Sequence, residues 1–173
     1  GVFNLIGITL IAAIGLNILV GYCGQLSIGH AGFIAVGAYT SAVLTNSFEM
    51  PFIVGLIGGG LVSGFIGLIF GLPSVRVKGF YLAITTIAAQ FIIIWVINHW
   101  GLTGGFNGIS VPLASTRPFG DFIFHSKTSQ FYLIIGIAVL GVFFAKNIAR
   151  TRVGRAFIAI RDNDLAAEVM GVN

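Results

Sequence analysis

The chain has 173 residues, of which 57% are hydrophobic and 8% are charged, and its formal net charge is +4. Soluble domains carry about 25% charged residues, so this composition excludes a water-soluble surface and predicts an integral membrane protein. The basic residues stand near the ends of apolar runs, where they set orientation, and we therefore expect no nucleic-acid partner. The single cysteine, Cys23, excludes an internal disulfide.

Five apolar segments come close to the roughly 20 helical residues that cross a bilayer. They run from Val2 to Tyr22, Ala31 to Asn46, Phe52 to Leu72, Gly79 to Trp100 and Phe131 to Ala145. Stretches such as residues 91–97 are apolar on every side, which favours helices over the alternating strands of a barrel. We predict an all-α polytopic bundle with about five membrane segments. The short second segment is either a full span or a broken helix.

The connection between the first two segments is rich in glycine and polar residues. It contains Gly24, Gln25, Ser27 and His30. Transporters bind substrates where membrane helices are broken, because free backbone groups and helix dipoles can meet a charged ligand there. These four residues are therefore candidates for a substrate pathway, and a plain cytoplasmic turn is the alternative. His30 has no second ligand at a suitable spacing, so we expect no metal site.

The third segment carries a small residue at every fourth position. A ridge of this kind lets another helix approach closely, which matters in lipid because van der Waals contact replaces the hydrophobic effect. Packing within one subunit and a subunit interface are both open. The ridge consists of Gly55, Gly59, Ser63, Gly67 and Gly71.

The fourth segment contains two polar side chains, Thr86 and Gln90, which are four residues apart and share a helix face. Polar groups inside a membrane face protein or a water-filled path. Both an interhelical hydrogen bond and a pathway lining are therefore open for them. No lysine or carboxylate falls clearly within a span, which argues against a carrier coupled to protons or sodium.

Lysine and arginine set the orientation, because cytoplasmic loops hold the excess of them. Seven of the nine basic residues fall in residues 73–78 and in the tail from residue 146, and two fall in residues 101–130. We therefore predict that residues 146–173 are cytoplasmic and that residues 101–130 form an external loop. Asn107 is then outside and Asp162 inside.

The tail predicts a short cytoplasmic helix. Asp162 or Asn163 can cap it, it runs to about Met170, and Gly171 suits the left-handed residue that ends it. Leu165, Val169 and Met170 form its apolar face, with Asp164 and Glu168 on the polar side. Such a helix lies on the membrane surface or docks into a partner's groove.

Three stretches of the chain carry a resemblance to a known family. They are residues 21–39, residues 79–86 with 102–109, and residues 154–173. In the same order, they resemble LivM-type permeases, the inner-membrane subunits of branched-chain amino acid ABC importers. The resemblance implies that the tail is a coupling helix that fits a cleft on a cytoplasmic ATPase. Importers generally have Glu-Ala-Ala, three residues, then Gly in this loop; Ala166, Ala167 and Gly171 match, whereas Leu165 takes the place of the glutamate. The coupling residues that we carry over or infer are Arg155, Arg161, Asp162, Asp164, Leu165, Ala166, Ala167, Glu168 and Gly171.

The same resemblance implies a permease that imports leucine, isoleucine and valine across the inner (plasma) membrane of a bacterium or archaeon. The expected partners are ATP-binding subunits, a second permease subunit, an external substrate-binding protein and the lipid bilayer. We expect no cofactor and no enzymatic activity of its own, with ATP hydrolysed by a partner. The chain is then a single transmembrane domain over residues 1–173, cut from a longer permease. The alternatives are a urea or short-amide permease of the same family, an ion-coupled carrier, and a channel.

Overall fold

The computed structural model of the chain describes residues 2–25, 27–74, 79–111 and 127–170, which are mostly helical and contain no strand. A π-helical turn, Ile18–Tyr22, extends α1, and two 3₁₀ turns, Gly101–Thr103 and Gly105–Asn107, follow α4. The seven α-helices of these residues are α1 (Val2–Asn17), α2 (His30–Asn46), α3 (Phe52–Ser74), α4 (Phe80–His99), α5 (Lys127–Arg150), α6 (Arg152–Asp162) and α7 (Asp164–Val169).

Four helical segments of the described residues are long and apolar enough to cross a membrane. These are Val2–Tyr22, Phe52–Leu72, Phe80–His99 and Gln130–Arg150. α2 has 17 residues, and at 1.5 Å per residue it reaches roughly 25 Å, slightly less than the hydrocarbon core. It is one continuous helix, so a break in this part of the chain, one of the two alternatives that the sequence left open, lies before α2 and not within it.

The chain divides into two compact units, Gly1–Ser27 with Ser126–Asn173 and Ile28–His125. Each unit is described by itself. The single domain over residues 1–173 that we expected from the sequence therefore stays a prediction.

In the first unit, α1 and α5 pack side by side and run in the same direction. The Phe3 and Phe131 rings meet edge to face at a centroid distance of 6.2 Å. Further along, Ile14 lies against Gly141, where an added Cβ would be 3.9 Å from its Cδ1 atom. Contacts that advance together along both helices show that they are parallel. α5 begins at Lys127 and ends at Arg150, so it is longer at both ends than the segment 131–145 that hydropathy alone indicated.

In the second unit, α2 packs against both α3 and α4. The hydrophobic core of this unit consists of Val36, Ile93 and Ile97, with Tyr39 and Phe70 packed around it. The residues of α2 meet α3 in reverse order and α4 in the same order, so α2 is antiparallel to α3 and parallel to α4.

Within the described residues, the small-residue ridge of α3 contacts another helix only along its N-terminal half. A Cβ on Gly59 would lie 2.6 Å from the Gly37 carbonyl oxygen, and one on Gly55 would lie 2.7 Å from Thr45 Oγ1. Ser63 continues this contact, since its hydroxyl donates to the Phe33 carbonyl at 2.8 Å. No described atom lies within 4 Å of a Cβ added to Gly67 or Gly71. The N-terminal half of the ridge, from Gly55 to Ser63, therefore forms the contact with α2.

Candidate functional site

The predicted coupling segment folds as two helices, α6 and α7. The cap that begins α7 is Asn163, one of the two candidates that the sequence offered; its side-chain oxygen accepts from the Ala166 N–H at 3.1 Å. The preceding helix, α6, was not predicted. Thr151 caps it by accepting from the Gly154 N–H at 3.3 Å, and the threonine hydroxyl donates to the Ile148 carbonyl at 2.7 Å. Thr151 thus links the end of α5 to the start of α6.

The start of α6 is seated directly on the last turn of α5. Gly154 is buried, and a Cβ on it would overlap the Ile148 carbonyl oxygen and lie 2.7 Å from Ala149 Cα. Only a residue without a side chain allows the two backbones to approach this closely.

The end of α6 is held against the end of the first span. Arg161 Nη1 donates to the Gly21 carbonyl at 2.7 Å, although the two residues are 140 positions apart in the chain. The same guanidinium binds Asp162 Oδ1 through Nη2 at 2.8 Å and through Nε at 2.9 Å. α6 is therefore anchored at both of its ends.

The remaining coupling candidates differ in the solvent exposure of their side chains. Ala167 is only 4% exposed, whereas Val169 and Met170 are 89% and 84% exposed. Ala166 and Arg155 are also exposed. The side chains of Asp164, Leu165 and Glu168, and the whole of Gly171, lie outside the described residues. Among the side chains that the structure describes in and just after α7, the accessible ones are thus an alanine and two large apolar residues.

The candidate pathway residues Gly24, Gln25 and Ser27 follow the π-helical turn in the first unit. The Cys23 N–H reaches the Ile18 carbonyl at 3.4 Å and the Gln25 N–H reaches the Leu19 carbonyl at 3.3 Å, so the helix widens as it ends. Gly24 has a φ of +67°, which favours glycine. Burial raises the pKa of the Cys23 thiol above its usual range.

The other three pathway candidates, His30, Thr86 and Gln90, lie in the second unit. Thr86 Oγ1 accepts from the Ile28 N–H at 3.2 Å and donates to the Ala83 carbonyl at 2.9 Å. A Cβ added to Gly32 would lie 3.2 Å from Gln90 Cα. Thr86 and Gln90 thus face the start of α2, and Thr86 joins α4 to the residues that precede α2. Within the described residues the Gln90 amide and the His30 ring form no hydrogen bond.

An apolar cavity of about 370 Å³ lies between α2, α3 and α4. Hydropathy could not predict this cavity, because it does not distinguish apolar residues that line a cavity from apolar residues that face lipid. Val36, Val96 and Ile97 contribute to its lining, and Tyr39 and Thr103 are among its few polar residues. Its lining is predominantly apolar and contains no charged side chain.

Comparison with known proteins identifies the family of this chain. Residues 1–173 match the family described as "Branched-chain amino acid transport system / permease component". The chain belongs to this permease family. It is therefore a multi-pass membrane protein, as its apolar helices indicate.

This family member is similar to three permeases over nearly all of its own length. It is 34% identical over 188 residues to the "High-affinity branched-chain amino acid transport system permease protein LivM" of Salmonella typhimurium, covering 96% of this chain and 44% of the relative. The Escherichia coli protein of the same name is 31% identical, with the same coverage of both chains. The "Probable branched-chain amino acid transport permease protein LivM" of Methanocaldococcus jannaschii is 27% identical, covering 95% and 57%.

The permease chain thus spans less than half the length of the two bacterial relatives. No solved structure matches it significantly. The stretches that resembled LivM-type permeases map to the end of the first span with the start of α2, to the start of α4 with the turns after it, and to α6 with α7.

Proposed function

We propose that this chain is part of the membrane permease of an ABC importer that moves leucine, isoleucine and valine into the cell. The observation that carries the proposal is the match of residues 1–173 to the permease family. ATP is hydrolysed by separate ATP-binding subunits, a second permease subunit completes the pathway, and an external binding protein delivers the substrate. The transporter lies in the inner membrane of a bacterium or archaeon.

The cytoplasmic element that receives the motion of the ATPase is α6 with α7. Exposed Val169 and Met170 next to exposed Ala166 offer a small apolar surface of the kind that fits a groove on another protein. Because α6 is fixed to α5 and to the first span, a force on α7 passes to the membrane helices and is not lost in a loose tail.

The substrate class follows from the relatives and from the cavity. All three relatives carry names that specify branched-chain amino acids. The predominantly apolar lining between α2, α3 and α4 suits an aliphatic side chain better than a polar amide. Both observations favour branched-chain amino acids over urea or short amides, and over an ion-coupled carrier or a channel.

The test is ATP-driven uptake in proteoliposomes that contain the full permease with its partner subunits and binding protein. We expect uptake of leucine, isoleucine and valine, without competition by urea, and only with ATP. Replacing Ala166 with tryptophan should lower uptake and stimulated ATP hydrolysis together by about tenfold, because overpacking a fitted surface costs about 1–3 kcal/mol. Ala167 is less suitable for this test, since its burial means that tryptophan would disturb the chain's own packing.

The matched control is Ala159→Trp, at an exposed alanine of α6 outside the proposed docking surface, which should leave both rates unchanged. Uptake driven by an ion gradient without ATP would contradict the proposal. Full coupling in the Ala166→Trp transporter would show that α7 is not the docking surface.

A further inference from the structure

Arg161 makes two different contacts with the end of the first span. Its Nη1 atom donates to the Gly21 carbonyl at 2.7 Å, and its aliphatic stem packs against Gly24, where an added Cβ would overlap Cγ and lie 3.3 Å from Cβ and Cδ. The first contact is polar and the second is steric, so each supports the same placement of the arginine independently.

The hydrogen bond meets a need of the helix end. The last carbonyl groups of a helix have no partner within it, and a cation there also interacts favourably with the helix dipole. The first span ends in the π-helical turn Ile18–Tyr22, and π-helical turns are frequent at functional positions. Arg161 therefore satisfies a carbonyl at the point where the span unwinds into the turn Cys23–Gln25.

The neighbouring Asp162 fixes how the guanidinium points. Its Oδ1 atom binds both Nε and Nη2, which leaves Nη1 directed at Gly21. The side chains of Arg161 and Asp162 are 40% and 62% exposed, so the ion pair contributes little energy by itself. Its effect is on geometry.

We infer that Arg161 is a positioning residue that ties α6 to the turn Cys23–Gln25, so that movement of α6 and α7 changes the end of the first span. This rests on the proposed function of α6 and α7 as the coupling element. It gives Arg161, one of the predicted coupling residues, a specific role through a contact inside the permease.

Cys23 offers a direct reporter, because it lies next to Gly24 and is half-buried with a raised thiol pKa. The experiment measures its rate of modification by a membrane-permeable maleimide in the assembled transporter, with Cys23 as the sole reactive thiol. Arg161→Gln should raise the rate about fivefold without nucleotide, because local opening of the turn becomes easier when a charge-assisted hydrogen bond is lost. ATP with vanadate should change the rate in the unmodified transporter and leave it unchanged in Arg161→Gln.

Two further variants keep the test independent of folding defects. Arg161→Lys retains the charge but has no fork to hold Gly21 and Asp162 together, and it should raise the rate by a smaller factor. Gly24→Ala breaks the same contact from the other side, so Gly24→Ala combined with Arg161→Gln should be no faster than the faster single variant. The matched control is Arg152→Gln, at an exposed arginine of α6, which should label at the original rate.

The inference would be overturned if Cys23 in the Arg161→Gln transporter were labelled at the same rate as in the unmodified transporter. It would also be overturned if that variant kept the response to ATP and vanadate. An unmodified transporter that imports substrate with ATP but shows no nucleotide response at Cys23 would overturn it as well. Failure of the proposed function is a different result, namely no ATP-driven uptake at all, and the labelling rate without nucleotide still tests the tie between Arg161 and the turn.

Discussion

Gly154 is the residue on which the seat of α6 depends, because the backbones of α5 and α6 meet there without room for a methyl group. Thr151 holds the same junction through its two hydrogen bonds. Together they hold the start of α6 against the end of α5. We therefore expect the proposed coupling element to be stiff at its point of attachment.

Gly154→Ala should lower the thermal stability of the permease, because overpacking at a backbone contact costs about 1–3 kcal/mol, more than the roughly 1 kcal/mol that alanine gains over glycine in a helix. The measurement is the unfolding midpoint in detergent. Gly136→Ala in α5 is the matched control, since no described atom lies within 4 Å of its added Cβ, and its midpoint should stay equal or rise. Equal midpoints for the two variants would show that α6 is not seated on Gly154.

At this scale the sequence revealed caps but not long-range contacts. Asn163 was predictable because a residue that caps a helix acts on a backbone group three positions away. The contact of Arg161 with Gly21 was not predictable, since it joins residues 140 positions apart and depends on the path of two whole helices. The position of Thr86 was open for the same reason, and only the structure shows its bond to the Ile28 N–H.

Among the helices, α3 shows that one sequence ridge can have two different surroundings. Gly55, Gly59 and Ser63 meet α2, whereas Gly67 and Gly71 have open space beside them in the described residues. The repeat of small residues at every fourth position was visible in the sequence, but the extent of the partner helix was not.

Gly59→Ala should lower the unfolding midpoint of the permease in detergent by several degrees, because the new Cβ would lie 2.6 Å from the Gly37 carbonyl oxygen and must push α2 away. Gly67→Ala is the matched control on the same helix and should leave the midpoint unchanged or slightly raised. A loss of stability at position 67 as large as that at 59 would contradict the asymmetry of the ridge.

The helices differed in how far they could be predicted. The membrane spans could be predicted because a bilayer demands about 20 apolar residues in succession. α1 together with its π-helical turn, α3, α4 and α5 all meet this strong constraint. α6 was missed because it is short and contains Gly154, which weakens helix propensity. Gly154 lies in a close contact with the end of α5, and a contact between two helices is not visible in the local sequence.

At the scale of the whole molecule, each unit has its own pattern of helix directions. α1 and α5 are parallel in the first unit, and in the second unit α2 is antiparallel to α3 and parallel to α4. The orientation in the membrane stays a prediction from the basic residues. Their distribution, seven against two, predicts that the end of α5 and all of α6 and α7 are cytoplasmic.

The central claim, that α6 and α7 lie on the ATPase side of the membrane, is tested most directly by labelling single cysteines in intact cells. Asn107→Cys and Ala159→Cys, both at exposed positions, are made separately in a Cys23→Ser background and treated with a membrane-impermeant maleimide. We predict that position 107 reacts in intact cells, whereas position 159 reacts only after the membrane is permeabilised. Reaction at position 159 in intact cells, with position 107 protected, would contradict the account.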